Sequence, residues 1–170
     1  MLTRLPVLER IMLNLVATAQ TIKPAAGYTN ECFHRRLKVR GNTPEAAQVA
    51  AGKFFVVLAL GSAVRIPDTS QDKSGWLQNV IVDAFVCPDE ANQQELDARI
   101  ASAVADLEKA FTREETSYIR GGLAFDTWLD AWGPWRRGPF LGATLRFIVH
   151  YETIWRDPYT SSNSLIDPTS

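Results

Sequence analysis

The sequence contains only two cysteines, Cys32 and Cys87, and only two histidines, His34 and His150. Two cysteines cannot build a disulfide framework, so we expect two buried thiols in a reducing compartment. A zinc site would need both histidines and further carboxylates or thiols, and no Cys-x-x-Cys or His-x-x-x-His pair is present. We therefore expect no metal site, and we expect both histidines to reach solvent.

Long apolar runs and excess charge are also missing. No apolar run approaches the roughly 18 residues that a helix needs to cross a bilayer. The first residues, interrupted by Arg10 and Asn14, predict a helix of the mature protein and not a signal peptide. The net charge of −1 gives no electrostatic reason to bind duplex DNA or an anionic membrane. We expect no membrane partner.

Sequence signatures of catalysis are absent as well. There is no Gly-x-Ser-x-Gly, no Gly-x-Gly-x-x-Gly opening a helix, and no Gly-Lys-Ser/Thr after Gly121 and Gly122. Asp126 and Asp130 are four apart, which on a strand separates them by about 13 Å, too far for paired-carboxylate chemistry. The sequence therefore predicts that the protein is not an enzyme, with no catalytic residue and no cofactor.

The strongest pattern lies in the middle of the chain. Residues 76–87 are rich in Val, Ile, Phe and Trp, which predicts a largely buried strand. After Pro88 and the N-cap candidate Asp89, apolar residues recur every three or four positions through Phe111, which predicts an amphipathic helix. Because such a helix must fold back onto the sheet, this strand and helix are the expected core unit.

Patterns elsewhere give the order helix, weak strand, strand, strand, helix, strand, strand. The flanking elements are a helix at 5–22, a weak strand at 33–39, one or two helical turns at 45–51, and strands at 53–61, 118–129 and 142–155. This order predicts an α+β fold with a mainly antiparallel sheet, on which an N-terminal helix and one long central helix pack. Residues 1–160 form a single domain, and 161–170 are a flexible tail or arm.

Two segments are candidate contact surfaces. The first is a long polar loop at 62–75, since long loops without regular structure are usually functional or mobile. The second is the turn-rich segment 132–140, whose tryptophans and arginines are preferred interface anchors. Aromatic residues between arginines could instead stack the bases of a single nucleic-acid strand. The candidate interface residues are Pro67, Asp68, Asp72, Lys73, Trp76, Trp132, Trp135, Arg136, Arg137 and Phe140.

In the order of these segments and in their pattern of apolar and polar residues, the chain resembles the tail terminator, or tail-completion, proteins of long-tailed bacteriophages. The resemblance covers most of residues 6–160. The segments that carry it are the helix at 8–15, Gly27-Tyr28-Thr29, the strands at 54–60 and 80–86, the helix with Ile100, Val104 and Leu107, the strand Leu145-Arg-Phe-Ile-Val-His-Tyr151, and Asp157-Pro-Tyr159.

The resemblance implies a structural virion protein at the head-proximal end of the tail, assembled in the host cytoplasm. Such proteins form a ring, usually of six copies, that caps the tail tube and joins it to the head connector. The implied partners are other copies of the chain, the tail tube protein and a head-completion or connector protein, with genomic DNA only as passing cargo. Another neck or minor tail protein, or a module that binds single-stranded nucleic acid, remains an alternative.

In that setting, the loop at 67–75 is expected to contact the tube or a neighbouring subunit, and the segment 132–140 is a second interface. Residues 161–170 are expected to become ordered on a partner. The basic residues at 34–40 could pair with an acidic rim, or could form a solvated face.

Overall fold

A computed structural model of the chain describes residues 5–36, 44–67, 72–88, 93–112 and 123–161. The helices are α1 (Val7–Gln20) and α2 (Gln93–Thr112), and two short 3₁₀ turns cover Pro24–Ala26 and Ala46–Val49. The strands are β1 (Glu31–Arg36), β2 (Lys53–Ile66), β3 (Lys73–Pro88), β4 (Asp126–Arg137), β5 (Phe140–Ile154) and β6 (Asp157–Ser161).

The six strands form one sheet in the order β1-β2-β3-β5-β4, with β6 added to β5. Only β1 and β2 are parallel, and the other pairs are antiparallel. The predicted α+β class and mainly antiparallel sheet are therefore confirmed. The prediction of one long central helix as an organising element is not matched in that form, because the sheet dominates and α2 is one of two helices among the described residues.

Strict alternation along the central strands creates one apolar face. In β3, Val80, Val82 and Ala84 are fully buried, whereas Ile81 and Asp83 between them are only partly buried. Since successive side chains of a strand point to opposite faces, this alternation places a continuous apolar layer on one side of the sheet. Strand β5 repeats the alternation through Leu145, Phe147 and Val149, which are also fully buried.

Helices α1 and α2 both pack on that apolar face. Ile11 and Leu15 of α1 and Leu107 of α2 are fully buried in the main core. The ring of Phe111 in α2 meets that of Phe147 in β5 edge to face, with centroids 5.0 Å apart. The other side of the sheet carries neither helix. Neither helix is long and apolar enough to span a membrane, judged over the described ranges.

Two charged side chains of α2 hold connecting segments in place. The buried carboxylate of Asp106 accepts hydrogen bonds from the backbone amides of Thr29 and Asn30, at 3.1 and 2.9 Å. The guanidinium of Arg99 donates to the carbonyl oxygens of Val49 and Val86, at 2.9 and 2.8 Å. These bonds satisfy backbone groups that no strand partner reaches, so α2 fixes both the entry to β1 and the exit from β3.

The predicted long loop at 62–75 is wrong. Strand β2 continues to Ile66 and β3 begins at Lys73, so only residues 67–72 connect them. The register shifts between Leu60 and Ala63, and the Gln78 side-chain amide donates to the carbonyl oxygen of Gly61 at 3.0 Å. This bulge lets polar residues with weak strand propensity continue the ladder, because a side chain satisfies the carbonyl that the irregularity leaves unpaired.

The predicted turn at 132–140 is also wrong. Strand β4 continues through Arg137, and the chain reverses only at Gly138, whose φ of +55° suits glycine. Pro134 is tolerated because β4 is the last strand on its side of the sheet, where a missing amide costs no ladder bond. Of the strand predicted at 118–129, residues 118–122 lie outside the described residues, and β4 begins at Asp126.

Some strands begin or end at other residues than the sequence predicts. Strand β1 lies at Glu31–Arg36, earlier than the predicted 33–39, and is parallel to its neighbour. Strand β6, Asp157–Ser161, pairs with the end of β5, and no strand is predicted there from the sequence. Trp155, the last residue of the strand predicted at 142–155, follows β5 and is 40% exposed. Cys32 is a buried free thiol, as predicted.

Candidate interaction surface

The side of the sheet that faces away from α1 and α2 is the strongest candidate for a functional surface, and it is called the open face here. Its side chains alternate with the buried ones, so it collects residues that the core does not use. Cross-strand pairing aligns Asp83 with Thr144, and Thr144 with Gly133. The open face consists of Ile81, Asp83, Phe85, Asp130, Trp135, Arg137, Phe140, Thr144 and Arg146.

One end of the open face is a packed aromatic cluster. Phe85 contacts Trp135 and Phe140 edge to face, with ring centroids 4.8 and 5.9 Å apart. Phe55 of β2 contacts Phe85 at 6.2 Å, and Val49 of the second 3₁₀ turn belongs to the same small core. Trp135 and Phe140, which the sequence predicts as interface anchors, are therefore largely committed to internal packing.

Gly142 allows the ring of Trp135 to pack close against the backbone of the sheet. These two residues are paired across β4 and β5. A Cβ atom on Gly142 would lie 2.9 Å from Cζ2 of Trp135 and 1.9 Å from the carbonyl oxygen of Ala84. Because only glycine leaves this space, the aromatic ring and the neighbouring backbone can approach each other closely.

Next to the aromatic cluster lies a network of charged side chains. The Arg137 guanidinium donates to both carboxylate oxygens of Asp83, at 2.6 and 3.2 Å. The Thr144 hydroxyl also donates to that carboxylate. The guanidinium of Arg137 lies over the Trp135 ring, 4.4 Å from its centroid. Bidentate pairing and stacking together fix the orientation of this arginine.

A second ion pair continues the network along β5. Nε of Arg146 donates to Oδ2 of Asp130 at 2.6 Å. The register of β4 against β5 shifts at this point, between Leu129 and Ala131. Since Arg137 and Arg146 each have a carboxylate partner, the positive charge of the network is largely neutralised. This arrangement suits a protein partner better than the phosphates of a nucleic acid.

Between the two ion pairs, the open face forms a shallow groove of about 460 Å³. Trp132, with 48% of its surface exposed, is the most exposed tryptophan and lines this groove. Ile81 and Pro134 supply further apolar lining. An exposed tryptophan at such a groove is typical of an anchor at a protein interface.

The other predicted interface residues lie elsewhere. Lys73 forms an ion pair with Glu152 at 3.7 Å, and the carbonyl oxygen of Asp72 accepts a hydrogen bond from the Trp155 amide at 2.8 Å. Trp76 is half-buried against the main core on the helix side. Pro67 is exposed, Arg136 is exposed in β4, and Asp68 lies outside the described residues.

The two predicted segments do not form one site. Lys73 pairs with Ile154 at one end of the β3–β5 ladder, and Pro88 pairs with Phe140 at the other end. With about 3.3 Å per residue, the ladder separates the 67–72 connection from the β4–β5 turn by up to about 50 Å. The molecule therefore presents two distinct surfaces at opposite ends of its sheet.

Sequence reasoning missed several residues of the open face, namely Asp83, Asp130, Thr144 and Arg146 as members of one network. A signal was present for two of them. Asp83 is the single charge within the apolar residues 80–86, and Arg146 alternates with buried residues of the last strand. A charge at an alternating position inside a central strand predicts that the strand has one face without an apolar cover.

The outer half of β2 is a further exposed feature. In the described part of the chain, β1 pairs with β2 from Lys53 to Leu58, and β2 continues from residue 59 to Ile66. Leu60 and Val64 in this stretch are 45% and 58% exposed. A strand edge with exposed apolar side chains is a ready template for pairing with another chain.

His150 is less accessible than the sequence predicts. Its ring lies 5.1 Å from that of Phe125, and its Nε2 atom is buried with no hydrogen-bond partner in the described residues. Nε1 of Trp135 shares this property. Over the same residues, no three His, Cys, Asp or Glu side chains are grouped as metal ligands.

Comparison with known proteins adds no family assignment, because no protein-family model matches the chain and no significant match to a curated protein is found.

Proposed function

We propose that this protein is a structural assembly protein of a bacteriophage tail, and specifically a tail terminator. In this proposal, six copies form a ring that caps the finished tail tube and joins it to the head connector. The observation that carries the proposal is the groove of the open face, which two arginine–carboxylate pairs flank and which exposed Trp132 helps to line, on a sheet side that α1 and α2 leave uncovered.

The position of the two surfaces supports a ring. A closed ring of identical subunits needs two different patches on each copy, which meet between neighbours by rotation. The groove lined by Trp132 and the outer half of β2, where Leu60 and Val64 are exposed, are different patches on opposite margins of the sheet. In the proposed ring, one copy inserts its β2 edge or hairpin against the open face of the next.

The helices serve as scaffold in this proposal. Helix α2, the long central helix of the sequence prediction, packs with α1 on the side of the sheet opposite the open face. The rigid core that they complete holds the open face in one geometry. A preorganised surface lowers the entropy that each subunit loses when the ring closes.

Native mass spectrometry and analytical ultracentrifugation test the proposal, with and without purified tail tubes. We expect a defined oligomer, or conversion of the monomer to one when tubes are added. Trp132→Ala should reduce assembly, because truncating an interface anchor costs about 2 kcal/mol or more. Leu13→Ala is the matched control, since Leu13 is 45% exposed on α1, away from the open face. A chain that stays monomeric and ignores tail tubes would contradict the proposal.

Another neck or minor tail protein of the head–tail junction is the nearest alternative, and it is separated by the partner bound. A tail terminator binds the tail tube end, whereas a connector-side protein binds the head. Binding to purified heads without binding to tubes would favour the alternative.

The remaining alternative is a module that binds single-stranded nucleic acid. The proximity of Arg137 and Trp135, 4.4 Å apart, is the observation in its favour. Such binding would weaken steeply with added salt, because phosphate contacts release counterions. Fluorescence anisotropy with a labelled oligonucleotide at several salt concentrations decides this, and we expect no salt-dependent binding.

A further inference from the structure

His150 of β5 is a titratable side chain that the proposed function does not use. In the β3–β5 ladder it pairs with Leu77, which lies on the same side of the sheet as Ile81 because alternate residues of a strand share a face. His150 therefore lies on the side that α1 and α2 leave uncovered, at the end where β5 leads into β6. Val64 of β2 continues this row beyond Leu77, so the row that β3 and β2 contribute carries no charge.

The imidazole ring of His150 is held in a position that suits only its uncharged form. Its centroid lies 5.1 Å from that of the Phe125 ring, and the two planes are inclined by 35°. The Phe125 amide donates to the His150 carbonyl oxygen at 2.7 Å, which keeps the two residues side by side. Nε2 of the histidine is buried and has no hydrogen-bond partner among the described residues. A charged N–H at this place would lose its hydration without gaining an acceptor, which is strongly unfavourable.

The Phe125 ring does not compensate for this loss. The face of a phenyl ring attracts a cation only modestly, and it gives a charged N–H no oxygen or nitrogen acceptor. In uncharged imidazole only one nitrogen carries a proton, so Nε2 can remain without one and its burial costs less. The contact with Phe125 therefore favours uncharged histidine.

The charged groups that face His150 offer its protonated form a better position. Asp126 of β4 lies directly opposite on the neighbouring strand and is exposed, and its Oδ1 atom accepts from the Thr127 amide at 2.7 Å. Glu152, the next residue of β5 on this side, forms an ion pair with Lys73 of β3 at 3.7 Å. Directly opposed side chains start about 5 Å apart, so the imidazolium can reach the Asp126 carboxylate by a change of rotamer.

Two further charged groups at this end of the sheet are directed elsewhere. The guanidinium of Arg65 lies over the Trp155 ring, 4.4 Å from its centroid. The Asp157 carboxylate accepts hydrogen bonds within β6. Over the part of the chain that the structure describes, the charge that faces the imidazole is therefore negative on balance, which favours the imidazolium once it leaves the aromatic contact.

We propose that His150 and Phe125 form a pH-sensitive switch on the open face. Above the pH range in which histidine gains its charge, the uncharged ring packs on Phe125. As the pH falls through that range, His150 becomes charged, leaves this contact and pairs with Asp126. Phe125, which is 42% exposed even in the packed state, then loses its aromatic partner, and the open face gains apolar surface. Both states exist within one copy, so the switch does not rest on the proposed ring.

Nuclear magnetic resonance of the full-length chain tests the switch. Since His34 and His150 are the two histidines, a spectrum of His34→Gln shows the imidazole signals of His150 alone. We expect the nuclear Overhauser effects between the His150 and Phe125 rings to weaken by roughly fivefold or more from about pH 8 to about pH 5, as His150 becomes charged. Backbone resonances should remain those of the folded protein. Rings that stay in contact after His150 is charged, or a His150 that remains uncharged at the lower pH, would overturn the proposal.

Asp126→Asn tests the position of the charged ring. Without the carboxylate the imidazolium loses its partner, so the ring contact that remains at about pH 5 should increase by roughly two- to fivefold, the factor that one exposed ion pair supports. Asp97→Asn, an exposed change on α2 at the other side of the sheet, should leave the pH profile unchanged. Circular dichroism verifies that each variant is folded. Identical profiles for the native chain and folded Asp126→Asn would contradict the proposal.

His150→Phe provides a variant that cannot be charged but keeps an aromatic contact with Phe125. It should stay in the packed state at every pH. Binding of the dye anilinonaphthalene sulfonate, which reports exposed apolar surface, should rise roughly twofold from about pH 8 to about pH 5 in the native chain and stay flat in this variant. An equal rise in both proteins would place the acid-exposed surface elsewhere and would count against the switch.

Discussion

Arg137 of β4 and Asp83 of β3 form a bidentate ion pair that bridges over the intervening strand β5. The middle strand contributes the Thr144 hydroxyl to the same carboxylate. Three neighbouring strands are thereby tied together on the open face, where neither helix covers them. The pair has a structural role as well, since it fixes the arginine beside the Trp132 groove that we propose as an interface.

The first prediction concerns this ion pair. Asp83→Asn should lower the free energy of unfolding by about 0.5–1.5 kcal/mol, because the pair is bidentate but partly exposed. The loss should shrink in high salt, which screens the pair. Urea denaturation at low and high salt measures this. Glu31→Gln is the control, since Glu31 and Lys53 form a longer ion pair, 3.8 Å apart, with both side chains more than one third exposed. Equal losses in the two variants would contradict the prediction.

The second prediction concerns the close approach at Gly142. Gly142→Ala should destabilise the fold by about 3 kcal/mol or more, because its Cβ would overlap the Ala84 carbonyl and force the backbone apart. Gly133→Ala is the matched control on the facing strand. A Cβ on Gly133 meets nothing within 4 Å, so we expect a change within about 0.5 kcal/mol. Thermal and urea unfolding compare the two, and similar stabilities would refute the packing argument.

The third prediction concerns the buried carboxylate of α2. Asp106→Ala should cost about 2–4 kcal/mol, because the amides of Thr29 and Asn30 would lose their carboxylate acceptor. Hydrogen exchange at these two amides should accelerate. Asp97→Ala, an exposed change on the same helix, should alter stability by less than about 0.5 kcal/mol. Unchanged exchange at residues 29 and 30 would show that the amides have other acceptors.

The fourth prediction concerns the reactivity of Cys32. Burial, with a further contribution from the nearby Asp106 carboxylate, raises the pKa of the Cys32 thiol well above its ordinary value. The thiolate is the reactive form, so the native thiol should resist iodoacetamide at neutral and mildly alkaline pH. Mass spectrometry of the peptide that contains residue 32 follows the reaction. Rapid labelling of the folded protein would disprove this protection, and labelling in urea is the positive control.

The fifth prediction follows from the same pKa shift. A thiol whose pKa is higher in the folded state stabilises the fold fully below its unfolded pKa of about 8.5, and this contribution disappears as the pH rises above that value. Burial also raises the pKa of Tyr151, which acts in the same direction above its unfolded pKa of about 10. Stability should therefore fall with increasing alkalinity. Cys32→Ala should flatten the early part of this fall, and urea titrations at several pH values measure it.

Part of the open face could be anticipated from the sequence. Trp132, Trp135 and Arg137 were predicted as contact residues because aromatic and arginine side chains alternate there. The sequence could not show that Trp135 packs inward, since its partner Phe85 comes from a strand 50 positions earlier and its space depends on Gly142. Nor could it pair Arg137 with Asp83, because that contact exists only once β3, β5 and β4 lie side by side.

The mistaken loop at 62–75 and the mistaken turn at 132–140 have one physical cause. Both segments contain glycine, proline and polar residues that disfavour strands when judged locally. In the folded protein, a bulge satisfied by Gln78 and an edge position that tolerates Pro134 offset these local preferences. Tertiary context overrode propensity at the margins of the sheet, where the ladder is least regular.

The sequence alone determined the α+β class, the first helix (predicted at 5–22), the apolar β3 and the amphipathic helix that follows it. These features depend on periodicity, which is local and is set by the repeat of the helix or strand. Only the tertiary structure decided which side of the sheet the helices cover, and which charges meet on the other side. That choice depends on contacts between residues distant in sequence, such as Asp83 and Arg137, which no local pattern encodes.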